Sequence, residues 1–233
     1  MTELPGYPSR RGFLKASAAS VAVASVVTTA QAQPAPAPVP LDQYQPEYLD
    51  PAEWAFVMAA AARLIPSDGD GPGAIETRVP VFIDRQLAGD YGKAAWWYME
   101  GPHEPAAPPE RGWQSPLSPA ELYRQAIPAI DNWCEVTHGA TFASLDSDTQ
   151  DAVLTALQKG EVTLAPELSW FFVTLLANTK EGYFADPIHG GNHGMQAWVH
   201  IGFPGARGAF RDWPERHNVK YPLGPVSISG ERA

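Results

Sequence analysis

One cysteine in 233 residues is the sharpest absence in this chain. Cys134 alone closes no intrachain disulfide, holds no four-thiolate iron–sulfur cluster and attaches no haem through a Cys-x-x-Cys-His pair. Positive charge is scarce too: 16 Lys+Arg stand against 26 Asp+Glu, a formal net charge of −10. That balance disfavours unspecific nucleic-acid binding, where phosphates are met by Lys and Arg. No long apolar run is present. Residues 16–30 are too few and too rich in Ala, Ser and Thr for a membrane span, which needs about 20 apolar residues. A G-x-G-x-x-G loop, a G-x-S-x-G elbow and an H-E-x-x-H pair are all missing, so no dinucleotide site, nucleophilic serine or zinc-protease helix is expected. What abounds is proline, 24 residues, roughly twice the ordinary share of about 5 %. Hydrophobic residues still make up 45 %, with 8 Trp, 8 Tyr and 9 Phe, enough for a core, and a wholly disordered chain is excluded.

The N-terminus reads as an address. Ser9-Arg10-Arg11-Gly12-Phe13-Leu14-Lys15 resembles the twin-arginine export motif, with Ser9, Arg10, Arg11, Phe13, Leu14 and Lys15 at its defined positions. A mildly apolar stretch follows, and Ala30-Gln31-Ala32 places Ala30 and Ala32 as the small residues of a cleavage site. The competing reading is a basic N-terminus followed by an anchor helix. Twin-arginine export carries proteins that are already folded, usually because a cofactor or partner is loaded first. Residues 1–32 are therefore set aside as a signal peptide, and the rest is expected in the periplasm. That remainder has 13 Lys+Arg and 25 Asp+Glu, a net of −12.

Residues 33–49 read as a Pro-rich linker, stiffened by alternating prolines from Pro34 to Pro40. Asp50, Pro51 and Glu53 then announce a helix with a capping box, and Trp54, Val57, Met58, Ala61, Leu64 and Ile65 follow at helical spacing until Pro66. A second helix is expected from near Pro80, with Phe82, Ile83 and Leu87 on one face, and a third segment over 93–99 carries Trp96-Trp97-Tyr98. A long loop, 101–118, holds five prolines; loops of this length often belong to an interaction surface. Ser118 to Glu121 is another capping box, opening a helix that runs to about His138 with an expected kink at Pro128. Asp146 or Ser147 caps a further helix ended by Gly160. Residues 166–180 are apolar almost all round and predict the central buried helix. The fold class is all-α: a single irregular helical domain over 50–202, with Pro-rich loops and an extended C-terminal tail over 203–233. The tail carries five Lys+Arg and three Asp+Glu, net +2, whereas 33–200 carries 8 and 22, net −14. Docking of the tail on its own acidic body and a partner-binding arm are both open readings.

The most unusual segment is 181–205. Asp186-Pro187 starts a turn, Gly190-Gly191 allows positive φ or close backbone approach, and Asn192 caps a short helix carrying Met195, Trp198 and Ile201. Gly202-Phe203-Pro204-Gly205 ends it. His189, His193 and His200 are the functional competitors, with Asp186 as a further ligand. They would support a stand-alone periplasmic metal- or His-dependent enzyme, but Gly190-Gly191 spoils the helix that would align the first two rings. Cys134, beside Trp133, reads as a core thiol.

The run Gly-Tyr-Phe-Ala-Asp-Pro, the pair Gly190-Gly191 with Asn192, the following Trp198 and Ile-Gly-Phe-Pro-Gly resemble the signature of the gluconate 2-dehydrogenase subunit 3 family. So do Phe82-Ile83-Asp84-Arg85-Gln86-Leu87-Ala88-Gly89 with Tyr91-Gly92, and the leader. The resemblance covers about 54–214. His189 stands where an aromatic is expected, and His193-Gly194 where a charged pair is commoner. The resemblance implies a non-catalytic small subunit of a membrane-associated dehydrogenase of sugars or sugar acids. Its partners would be an FAD-containing large subunit, a c-type haem cytochrome subunit and the twin-arginine translocase. No cofactor, metal or catalytic residue is then expected in this chain. The expected partner surface comprises Asp186, Pro187, Gly190, Gly191, Asn192, Trp198, Gly202, Phe203, Pro204 and Gly205, with the tail and the 101–118 loop beside it.

Overall fold

Proline and short polar caps decide where the helices begin in this computed structural model, which describes residues 38–105, 107–211 and 213–233. The chain divides into residues 1–40 and a helical body, 41–233. The export motif, the cleavage site and residues 33–37 of the linker lie outside the described residues.

Helix α1, Pro51–Leu64, carries the predicted capping box: Asp50 accepts from the amides of Ala52 and Glu53, and Glu53 accepts from Asp50. The amides of Asp50, Ala52 and Glu53 are thereby satisfied, and Pro51 has no N–H to satisfy. Helix α2, Val79–Ala88, buries Phe82, Ile83 and Leu87 as expected. Helix α3, Pro119–His138, opens on the Ser118–Glu121 box and stops at Gly139, which is left-handed. It runs on through Pro128. Pro128 lies on the exposed face, so the helical bond it cannot donate is lost on the side open to solvent, while Ile127 and Ile130 stay buried beside it. Helix α4, Ser147–Lys159, is capped by Asp146 and ended by Gly160 in the left-handed region.

The central helix differs from its sequence reading at both ends. Residues 166–168 form a separate 3-10 turn, and α5 is Phe171–Phe184. It packs against α1, α2, α3, α4 and the short helix α6, Gln196–Ile201. An apolar circumference did not mean burial all round, since Val173 is 58 % exposed. At the centre, Phe56 of α1 meets Phe142 at 4.7 Å and Phe171 of α5 at 5.9 Å between ring centroids; Phe171 also meets Tyr123 of α3 at 5.2 Å. The segment 93–99 forms turns and then irregular backbone, with Ala94 in the left-handed conformation.

Long-range contacts to the helical body also begin before Asp50. Asp84 of α2 is fully buried and accepts from the amides of Glu47, Tyr48 and Leu49 and from the Tyr44 hydroxyl, at 2.7–3.0 Å. Residues 44–49 are thus pinned to α2 by one carboxylate. Among the described residues there are six α-helices and no strand, only isolated bridges pairing Gly205 with Val226 and Val226 with Arg232. The fold is all-α.

Candidate interaction surface at the end of the central helix

The C-terminal end of α5 leaves carbonyl groups without helical partners, and the segment after it supplies them. Trp198 of α6 donates its indole N–H to Phe184 O at 2.8 Å, and Asn192 donates its amide to Ala185 O at 2.9 Å. Asn192 is fully buried with φ 44°, and its Oδ1 accepts from Ala197 N inside α6. It sits before the N-cap residue Met195 and joins the end of α5 to the first turn of α6. Asn tolerates this conformation better than most residues because its short polar side chain bonds locally.

Gly191 passes directly over α5. A Cβ there would collide with the carbonyl of Gly182, and a Cβ on Gly182 would in turn lie 2.8 Å from the Phe82 ring. Phe82, Gly182 and Gly191 therefore stack in three layers that leave no room for a methyl group. Gly190, at φ 96°, turns the chain beside Arg85. Asp186 has two tasks: Oδ1 accepts from Ile188 N and caps the 3-10 turn Pro187–His189, while Oδ2 accepts from Ile228 N at 2.7 Å, tying down the tail. Gly202 ends α6 at φ 72°, and Phe203 folds back on Trp198, 5.1 Å between centroids. Gly205 lies so close to the Val226 carbonyl that a side chain there would strike it.

The expected surface residues thus divide by position. Asp186, Gly191, Asn192 and Trp198 are buried and build the frame; Pro187, Gly190, Pro204 and Gly205 are half-buried; Gly202 and Phe203 are exposed. Besides Phe203, the same segment exposes Phe184, Ile188, Val199 and Ile201. The sequence reading passed over Phe184, Ile188 and Val199 and named Ile201 only as a residue of the short helix; the left-handed Met195 just before α6 starts that helix afresh, and Ile201 is exposed. The run Val199–Ile201 beside Phe203 was the available signal.

His189 and His200 are exposed, His193 is half-buried, and the His200 ring lies against Gly71. Among the described residues no group of three or more His, Cys, Asp or Glu is placed to hold a metal ion. Cys134 is buried, and burial pushes its thiol up to about 11. No helix among them is long and apolar enough to cross a membrane. A second exposed apolar patch, Trp96 at 84 % and Tyr98 at 81 %, lies toward the other end of α5. There Trp97, Trp113 and Trp170 form a ring chain with centroid spacings of 5.2 and 5.6 Å.

The family model described as gluconate 2-dehydrogenase subunit 3 matches residues 51–205, from the start of α1 to the glycine that meets Val226. The chain belongs to the gluconate 2-dehydrogenase subunit 3 family. It is an accessory subunit of that kind, and membership makes it part of a dehydrogenase complex. Searches of curated proteins and of solved structures gave no match. The matched segment contains the α5–α6 frame and Asp84 with its α2 surroundings; residues 206–233 lie beyond it.

Proposed function

We propose that this subunit binds the FAD-dependent large subunit of a sugar or sugar-acid dehydrogenase, stabilises it and accompanies it through the twin-arginine translocase. In this reading the chain is not catalytic by itself. FAD sits in the large subunit and c-type haem in a cytochrome subunit, and the complex works in the periplasm, held at the membrane through its partners. The observation that carries the reading is the exposed apolar rim of Phe184, Ile188, Val199, Ile201 and Phe203 on a frame with no slack. Exposed aromatic and aliphatic groups held in one conformation lose little entropy on docking, which is what a protein–protein hot spot requires. Family membership supports the complex, and the folded-export motif at Arg10-Arg11 supports joint transport.

The test is co-expression with the flavoprotein subunit. Replacing Arg10 and Arg11 by Lys is expected to strand both proteins, and the dehydrogenase activity, in the cytoplasm. Normal periplasmic activity in that variant would end the carrier reading.

A further inference from the structure

The tail returns to the body without using its charge. Val226 accepts from Ala206 N at 2.7 Å and donates to Pro204 O at 3.3 Å, and Ile228 N reaches Asp186. Arg207 donates to Gly224 O across the neck of the loop so formed. The loop has its own small core: Tyr221 meets Phe210 and Trp213 at 5.5 and 4.9 Å between centroids, and Arg216 stacks on Trp213. Arg211, Arg216 and Lys220 are exposed. Among the described residues none of the three pairs with a carboxylate, although residues 33–200 carry a net −14. Among the described residues, no ion pair with the acidic body holds them in place.

Between this loop and α6 lies an open hollow of about 500 Å³, with Ile201, Pro204, Phe210, Trp213 and Val219 in its lining and Lys220 among them. Ile201 belongs also to the apolar rim, so hollow and rim form one continuous surface. Its lining is mainly apolar, and Arg211 and Arg216 line an adjoining hollow that shares Phe210, Trp213 and Tyr221 with it. We infer that the hollow receives an acidic segment of the flavoprotein subunit that also carries aliphatic side chains. The aliphatic groups would fill the floor while carboxylates meet Arg211, Arg216 and Lys220. The acidic body would repel the same segment elsewhere, so the charges set orientation and encounter rate. This inference rests on the proposed function, and it assigns a role to residues beyond the family-matched segment.

The test measures affinity of the full chain for the flavoprotein subunit at about 50 and about 500 mM salt, where screening lengths differ about threefold. Wild type is expected to weaken about tenfold across that range. The triple variant Arg211→Glu, Arg216→Glu, Lys220→Glu is expected to bind about tenfold less tightly at low salt and to lose the salt dependence. The double variant Arg211→Glu, Lys220→Glu keeps the Arg216–Trp213 stack and serves if the triple variant misfolds. Equal affinity and equal salt dependence in wild type and variants would overturn the inference and leave the proposed function standing. Failure of wild type to associate at any salt would remove both. If the variants bind the flavoprotein normally but lose adsorption to phosphatidylglycerol-rich vesicles, the loop faces lipid and the inference is overturned.

Discussion

Asp186 holds the amide of Ile228 at 2.7 Å across 42 residues of chain, joining the end of the family-matched fold to a tail outside it. The carboxylate is buried, so the bond is shielded from competing water. Asp186→Ala leaves the Ile228 N–H unpaired and removes the cap of the Pro187 turn. A cost of about 1–2 kcal/mol is expected, confined to the tail and that turn. Hydrogen exchange should show the Ile228 amide opening about tenfold faster, with α5 amides such as Leu175 unchanged. Equal acceleration at both sites would mean that the bond supports the whole fold.

Gly191→Ala tests the three-layer stack. The new methyl group meets the backbone of Gly182, which cannot swing aside as a side chain can. Overpacking of this kind costs about 1–3 kcal/mol, or about 2–4 °C of Tm per kcal/mol in a body of this size. Gly208→Ala is the control, because nothing lies within 4 Å of its added carbon. Thermal melts should separate the two variants clearly.

Asp84→Ala removes one acceptor from three backbone amides and the Tyr44 hydroxyl at once. With each unpaired buried amide costing about 1–3 kcal/mol, a loss of about 3 kcal/mol or more is expected. Chemical denaturation gives the total, and limited proteolysis should cut within 41–49 in the variant but not in wild type.

The fold should fail on the alkaline side. Burial pushes the Cys134 thiol from its ordinary 9.0 to about 11 and the Tyr91 phenol from 10.0 to about 12. Both groups are held neutral by the folded state. Their contribution is complete below the unfolded values and is lost as pH rises through the folded ones. Tm should stay level up to about pH 9 and then fall toward pH 11. Labelling of Cys134 at pH 8 should follow the unfolding rate, since thiolate is the reactive form. Rapid labelling of the native protein would contradict this.

The helices were legible wherever capping is local. Asp50 with Glu53, Ser118 with Glu121, and Asp146 with Gly160 needed only a few adjacent residues, and each marks the end the sequence predicts. Long-range pairings were not legible. Nothing near Asp84 shows that it will gather the amides of 47–49, and nothing near Asn192 shows that it will join α5 to α6. The 181–205 segment stood out by composition, but which of its residues face solvent depended on the left-handed turns at Asn192 and Met195. Composition located the surface; backbone conformation decided that Ile201 and Phe203 are on it.

Affinity of the flavoprotein subunit for an Ile201→Asp, Phe203→Asp variant tests the central claim most directly. Both side chains are exposed, so the substitutions should leave helical content and Tm nearly unchanged. A central apolar anchor is worth about 2 kcal/mol or more, so loss of even one lowers affinity about thirtyfold, and the double variant is predicted to lose at least that. Val136→Asp, on the exposed face of α3, should bind as wild type does. Wild-type affinity in the Ile201→Asp, Phe203→Asp variant would contradict the account.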